Sequence, residues 1–415
     1  MTERLRITVA DAAAAAARVR ALVPAGGSVA GAVAEIVAAV RDGGDAALLG
    51  LERRFGGGDA PLRVPEEGLR AAVDGLDPAV RAGLEVARAN VGRVAAAGVR
   101  DDVDVELPEG QRVRLREIPV RRAAVYAPGG RAPYPSSVVM GVETARAAGV
   151  GAIAVATPGP PIILAACALC EVDEVYRMGG AQAIAALAHG TETVVPVDVI
   201  VGPGNLYVQE AKRQVSDRVG IDGFAGPSDL VVIATDGADP RLVAVDLLAQ
   251  AEHGNDSLVV AVSDDEALLA AIERELGAEH PTVAAGPKVL VAADGPEAAL
   301  AFAEALAPEH LQLAGVAAEQ LAPRVTRAGC LFVGAETGTA FGDYVAGSNH
   351  TLPTDGAARF ASGLSAGHFR RRMAEVRVGP AAAALAAAGV PIAEAEGFAV
   401  HAESMRARIR DNPRR

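Results

Sequence analysis

The chain contains no tryptophan, and aromatic residues make up only 3% of it. Its interior must therefore be filled by Ala, Val, Leu and Ile, which suits helices packed on a parallel sheet. Three cysteines, Cys167, Cys170 and Cys330, are too few to staple 415 residues. A disulfide framework is excluded, and a reducing cytoplasm is the expected compartment. Excess positive charge is missing as well: with a formal net charge of −13 and no basic stripe, nothing is set out to neutralise phosphates. Nucleic acid is excluded as a main partner. The longest uncharged stretch, Gly149 to Cys170, is broken at its centre by Pro158-Gly159-Pro160-Pro161, so it reads as strand, turn and helix and not as a membrane span. Arg18 and Arg20 interrupt the Ala-rich start from Asp11 to Leu22, which removes the apolar core of a signal peptide. A GxGxxG turn, the usual dinucleotide fingerprint, is also absent.

What is present is repetition. At 415 residues the chain is too long for one ordinary core. From about Arg122 to Ser228, a short β-branched run, a Gly/Pro turn and an Ala-rich amphipathic stretch recur four times: AAVYAPGG then SSVVMGVETARAAG, VGAIAVATPGPP then IILAACALCEV, DEVYRMGG then AQAIAALAHG, VDVIVGPGN then LYVQEAKRQV. Four such units predict a parallel sheet with helices on both faces. A second series starts at Leu230 with DLVVIATDG, continues through SLVVAVSDD and PKVLVAADG, and ends in AGCLFVG near Gly334; its first helix opens on Asp239 as N-cap and Pro240 at the first helical position. The expected fold is α/β, with two doubly wound domains. Val29 to Phe55 and Ala79 to Ala97 read as long helices and RVRLREIPV as an edge strand, all assigned to the second sheet. Pro380 to Glu396 is Ala-rich and helical, leading to Gly397-Phe398-Ala399-Val400-His401 as a small arm.

Gly202-Pro203-Gly204-Asn205 lies between an apolar strand and a helix, where backbone N–H groups and the helix dipole can hold a phosphate, although a tight turn alone would also call for glycine. Gly129-Gly130 after Tyr126 and Gly179-Gly180 before Gln182 repeat the theme, and three glycine turns at one sheet edge favour a ligand crevice. In Gln250-Ala251-Glu252-His253 the first and last residues are three apart at a helix end and can face one object. His253 suits zinc, but equally complements a helix dipole until further ligands are found. Asp343 in FGDYVAGSNH and His401 in FAVHAES supply a carboxylate and an imidazole, each of which is ordinary surface chemistry when taken singly. Glu309-His310 in APEHLQLA sets an acid beside an imidazole after a proline, a pair able to move protons once burial tunes it. His350 stands beside Asn349 in a turn-rich loop. Cys167 and Cys170 form a CxxC inside an apolar helical pattern, and Cys330 lies in an apolar strand, so all three read as small hydrophobes. Arg370-Arg371-Arg372 reads as a solvated helix face, and His189, His280 and His368 have no evident partner.

Taken together, YAPGGRAPYPSSV, GGAQAIAALAHGT, GPGNLYVQEAKRQV, AGPSDL, AQAEHG, APEHL, GDYVAGSNHTLPT and AEGFAVHAES resemble histidinol dehydrogenases, in that family's order and approximate spacing and over nearly the whole chain. The resemblance implies zinc-dependent oxidation of L-histidinol to L-histidine through bound L-histidinaldehyde, with two NAD as hydride acceptors, the last steps of histidine biosynthesis. It implies one zinc per subunit held by Gln250, His253, Asp343 and His401, the last from a neighbouring subunit's tail, and hence a homodimer with shared sites. Glu309 and His310 match the family's acid/base pair. Ser228, His350 and Glu396 match residues contacting histidinol, as do Gln250, His253, His310, Asp343 and His401, while Tyr126, Gln182 and Asn205 match those contacting NAD.

The implied plan is two incomplete Rossmann-like domains, one inserted in the other, with small terminal segments exchanged in the dimer. In these terms 1–20 is an N-terminal segment, 21–121 with 229–364 the first domain, 122–228 the insertion and 365–415 a dimerisation arm. Asp229 stands where the family usually has Glu, and Ser348 where Pro is frequent; neither removes a functional group. The nearest competing reading is a dehydrogenase of another small polar alcohol, similar to sulfopropanediol dehydrogenases, against which His350 and Glu396 speak. A two-domain ligand-binding protein without catalysis is the alternative from another class.

Overall fold

The β-branched runs are strands and the Ala-rich stretches are helices, as their periodicity requires. The computed structural model describes residues 2–24, 27–129, 133–224, 226–277 and 286–409, and the predicted Gly130 and His280 lie outside them. The chain divides into two compact units, one of residues 1–98 and 120–369, the other of 99–119 and 370–415. The first unit opens with β1 (Thr2–Ile7) and the helices α1 (Ala12–Arg20), α2 (Ala30–Phe55), α3 (Glu66–Asp74) and α4 (Pro78–Ala97). The next two strands, β2 (Val103–Glu106) and β3 (Arg112–Pro119), belong to the second unit.

Then come β4 (Arg122–Tyr126), α5 (Pro135–Ala147), β5 (Ala152–Thr157), α6 (Pro161–Leu169), β6 (Glu174–Arg177), α7 (Gly180–His189), β7 (Val199–Val201), α8 (Leu206–Val215) and β8 (Gly220–Ile221). Their strands form a five-stranded sheet in the order β6-β5-β4-β7-β8, parallel throughout. The expected parallel arrangement is present. The long upstream helices, however, pack here and not on the second sheet. Val33, Ile36, Val37, Val40 and Leu48 of α2 share a core with Ala183, Ile184 and Leu187 of α7 and Val208 of α8, while α4 lies against α5. An amphipathic stripe states that one face is buried, not against which sheet.

The second series gives β9 (Asp229–Ala234), α9 (Pro240–Ala251), β10 (Leu258–Ser263), α10 (Glu266–Leu276), β11 (Lys288–Ala293), α11 (Pro296–Leu306), β12 (His310–Ala314), α12 (Val316–Glu319), β13 (Cys330–Val333) and α13 (Ala340–Tyr344). Asp239 caps α9 by accepting from Arg241 N–H at 2.8 Å, with Pro240 in the first turn. The sheet is six-stranded and parallel, in the order β1-β11-β10-β9-β12-β13. The N-terminal segment forms its edge: β1 pairs with β11 from Thr2↔Lys288 to Ile7↔Ala293. Ala12, Ala15, Ala16 and Val19 of α1 join Phe302 of α11 on one face, while α9 and α10 cover the other.

In the second unit, β14 (Arg370–Arg377) pairs antiparallel with β3, and β3 with β2. The helices α14 (Ala382–Ala395) and α15 (Ala399–Arg406) follow. Two expectations are corrected here. RVRLREIPV belongs to this small sheet, and Arg370-Arg371-Arg372 begins a strand, where Arg372 pairs with Glu117 of β3. No described helix is long and apolar enough to cross a membrane.

Candidate active site

A cleft of about 1740 Å³ is lined wholly by residues of the first unit. It exceeds the range of roughly 300–1,000 Å³ usual for one small ligand, so it has room for a dinucleotide beside a small substrate. One wall is the carboxyl edge of the five-stranded sheet, where Tyr126 ends β4 and the glycine turns follow β6 and β7. The opposite wall is the amino edge of the six-stranded sheet, where Ser228 precedes β9, which Asp229 begins, and Glu309 precedes β12, which His310 begins. Doubly wound sheets usually bind ligands outside their carboxyl edge. Here the cleft lies at the carboxyl edge of only one of the two sheets.

On the first wall, Tyr126 Oη accepts from Gly180 N–H at 3.0 Å, at the start of α7. The buried carboxylate of Glu52 accepts from Gly179 N–H at 3.0 Å and from Gln182 Nε2 at 2.9 Å, which fixes the direction of that amide. Burial pushes the Glu52 carboxyl above its ordinary value. Asn205 spends its side-chain oxygen capping α8, accepting from Tyr207 N–H at 3.1 Å and Val208 N–H at 3.2 Å, which leaves its amide nitrogen as the group for a ligand.

Gly202 is held from both sides. Asp222 Oδ2 accepts its N–H at 2.6 Å, and the buried Lys212, paired with Asp222 at 2.6 Å, donates to its carbonyl. Its φ of +117° and its approach to Tyr126 leave no room for a side chain: a Cβ would stand 2.1 Å from the Tyr126 carbonyl oxygen. Gly202→Ala is accordingly expected to destabilise the fold by about 2 kcal/mol or more. Thermal unfolding checks this; a wild-type midpoint would mean the turn can yield.

On the second wall, Asp229 and Glu309 grip each other. Glu309 N–H donates to Asp229 Oδ1 at 2.7 Å, and Asp229 N–H donates to Glu309 Oε2 at 3.1 Å. The same Glu309 oxygen accepts from the Ser228 hydroxyl, which in turn accepts from Gln250 Nε2. Burial raises the Glu309 carboxyl well above the ordinary glutamate value, with the Asp229 charge adding to the effect. His310 is 3% exposed, and burial lowers its pKa, so the imidazole is neutral at neutral pH.

Three histidines are set alike by backbone carbonyls. Nδ1 of His310 lies 3.3 Å from Asp229 O, Nδ1 of His253 lies 3.1 Å from Gln250 O, and Nδ1 of His350 lies 3.0 Å from Asp343 O. A carbonyl only accepts, so each Nδ1 carries a proton, and in the neutral form of the ring the lone pair is on Nε2. The His310 Nε2 stands 3.9 Å from Asp343 Oδ1, and the His350 Nε2 stands 3.3 Å from Ser137 Oγ.

The structure thus brings together Tyr126, Gln182, Asn205, Ser228, His253, Glu309, His310, Asp343 and His350 on one cleft, with Gln250 buried behind Ser228. Glu396 and His401 belong to the second unit, both exposed, the latter with its ring 5.1 Å from that of Phe398. Among the described residues no group of three or more His, Cys, Asp and Glu is arranged to hold a metal ion. Of the predicted ligands, the first unit supplies only His253 and Asp343 of those types. Sequence reading missed Glu52 and the Lys212–Asp222 pair. A signal existed for the latter, since Lys212 is one of two lysines in the chain. Cys167 and Cys170 are fully buried, with thiol pKa values pushed up by desolvation, as the hydrophobe reading requires.

A family model described as histidinol dehydrogenase matches residues 24–409. The histidinol dehydrogenase of Ruegeria pomeroyi is 42% identical over 396 residues, covering 91% of each chain. That of Cereibacter sphaeroides is 43% identical over 396 residues, again covering 91% of each. A crystal structure of histidinol dehydrogenase from Elizabethkingia anophelis matches with a TM-score of 0.91 at 30% identity, covering 98% of both chains.

Proposed function

The chain belongs to the histidinol dehydrogenase family, oxidoreductases, and from that premise we propose that it oxidises L-histidinol to L-histidine through L-histidinaldehyde, closing histidine biosynthesis in the cytoplasm. One observation carries the reading: a carboxyl of raised pKa and a neutral imidazole, Glu309 and His310, open into the same cleft as Tyr126, Gln182 and Asn205.

The donor types fit zinc, since the Gln250 amide nitrogen is taken by Ser228 and leaves the amide oxygen, the His253 Nδ1 is taken by the Gln250 carbonyl and leaves Nε2, and Asp343 lines the cleft. Zinc, when bound by Gln250, His253, Asp343 and His401 from a second copy, supplies a template for the amine and imidazole nitrogens of histidinol. NAD, when bound against Tyr126, Gln182 and Asn205, supplies the hydride acceptor. The homodimer is supported by the exposure of Ile392 (59%), Phe398 (52%) and Val400 (75%) around His401, an apolar patch suited to a partner surface.

In the first oxidation His310 Nε2 takes the hydroxyl proton as the C–H electron pair leaves with its hydrogen as hydride. The aldehyde must add water before it can be oxidised again: the Glu309 carboxylate takes the proton that water gives up, and the protonated His310 returns its own to the carbonyl oxygen, which completes the hydrate and restores the Nε2 lone pair. His310 then takes the hydroxyl proton of the hydrate during the second hydride departure. His350, anchored by Asp343 O and Ser137, orients the imidazole end, and Ser228 keeps Gln250 and Glu309 in register. Holding the substrate through both steps makes the second effectively intramolecular. Purified protein is expected to form two NADH per L-histidinol consumed and to lose turnover on chelation. A ratio of one, or full turnover after exhaustive metal removal, would overturn the scheme.

A further inference from the structure

Arg20, the last residue of α1, precedes the span matched by the family and has no part in the proposed chemistry. Its guanidinium nevertheless bonds two groups that lead into the site. Nη1 donates to Asp229 Oδ2, and Nη2 donates to the carbonyl of Leu306 at 2.8 Å. Leu306 ends α11, and Ala307, in the left-handed region at φ 49°, turns the chain from there into Pro308 and Glu309. Arg20 therefore ties down both the helix end that leads into the acid–base pair and the carboxylate beneath it.

Asp229 is 1% exposed. Its Oδ1 accepts the Glu309 N–H, its own N–H donates to Glu309 Oε2, and its carbonyl accepts His310 Nδ1–H. One residue thus holds the backbone of the acid, the carboxylate of the acid and the tautomer of the base. A buried carboxylate beside a second carboxylate holds such a geometry only when its charge is balanced, and among the described residues Arg20 is the cation paired with it.

We infer that Arg20 is a positioning residue of the reaction: by pairing with Asp229 and bonding Leu306 it keeps Glu309 and His310 aimed at the substrate. The inference rests on the reading of Glu309 and His310 as the proton-moving pair. It makes the effect of losing Arg20 conditional on the charge of Asp229. Asp229→Asn removes that charge while keeping an oxygen for the Glu309 N–H.

The test is a double-mutant cycle in the full-length enzyme with L-histidinol and NAD. Arg20→Met is expected to lower kcat between about tenfold and a hundredfold, as for a group mispositioned by about an ångström, with both KM values within about twofold. Arg20→Lys, which can serve Asp229 but not Leu306 as well, is expected to fall between. In the Asp229→Asn background, adding Arg20→Met should cost less than about threefold. Equal losses of kcat in both backgrounds, or an unchanged kcat in Arg20→Met, would overturn the inference. Should Arg20→Met not fold, Arg20→Lys with and without Asp229→Asn provides the same comparison. If Glu309→Gln and His310→Asn also keep wild-type turnover, the acid–base reading itself fails. If they lose it and Arg20→Met does not, only the role of Arg20 fails.

Discussion

His310→Asn is expected to lower kcat for L-histidinol by on the order of a thousandfold, within the usual span for removing a positioned general base, while zinc content and the KM for NAD stay near wild type. Asn is close in size and keeps a donor for the Asp229 carbonyl, so the wall against Phe332, whose ring centroid lies 5.8 Å from that of His310, should hold its shape. What is lost is the lone pair on Nε2. The pH profile is the companion measurement. Burial lowers the pKa of His310, so its imidazole stays neutral below the pH at which an ordinary histidine protonates. The acid limb of kcat/KM should therefore lie below about 6.5 and vanish in the variant. Loss of metal on substitution, or an acid limb that persists, would remove His310 from the role of base.

Glu309→Gln is expected to split the two oxidations. The amide can still accept from Ser228 and Asp229, but it cannot take a proton from water. Release of the first NADH should proceed, the aldehyde should accumulate, and NADH formed per L-histidinol should fall from two toward one. Formation of L-histidine should drop by on the order of a hundredfold to ten-thousandfold. The raised pKa of Glu309 adds a sign: the carboxylate form grows only as pH climbs through a value above that of ordinary glutamate, so oxidation of supplied aldehyde should strengthen with rising pH in the wild type and lose that dependence in the variant. Quenched-flow measurement of NADH and aldehyde separates the two steps. Equal slowing of both would assign Glu309 to neither water nor aldehyde.

The parallel sheets were legible because each strand buried on both faces is a β-branched run closed by a Gly/Pro turn, as in VDVIVGPGN. Which helices cover which sheet was not. The apolar stripe of α2 would suit either, and its partner α7 begins 125 residues beyond the end of α2, at Gly180. The arginine run at 370–372 misled for the same reason, because the acid that pairs with it in a strand, Glu117, is distant in sequence. In the site, the residue types of Glu309, His310 and His253 pointed to the proton and metal chemistry proposed for them. Their tuning did not show, since it comes from burial and from backbone carbonyls that only the fold delivers. Asp229 looked like a minor departure from the family pattern, yet it is the residue on which the pair is hung.

The pairing of β1 with β11 also bears on how the molecule is made. Strand β1 finds its partner only once residue 293 has been synthesised, with all of the five-stranded sheet lying between. Until then Ile7 and the alanine face of α1 have no sheet to cover, and Arg20 has no Asp229 to meet until residue 229 emerges. Docking of β1 and α1 is thus a late event in assembly, and the Arg20–Asp229 pair forms with the same step that closes the sheet.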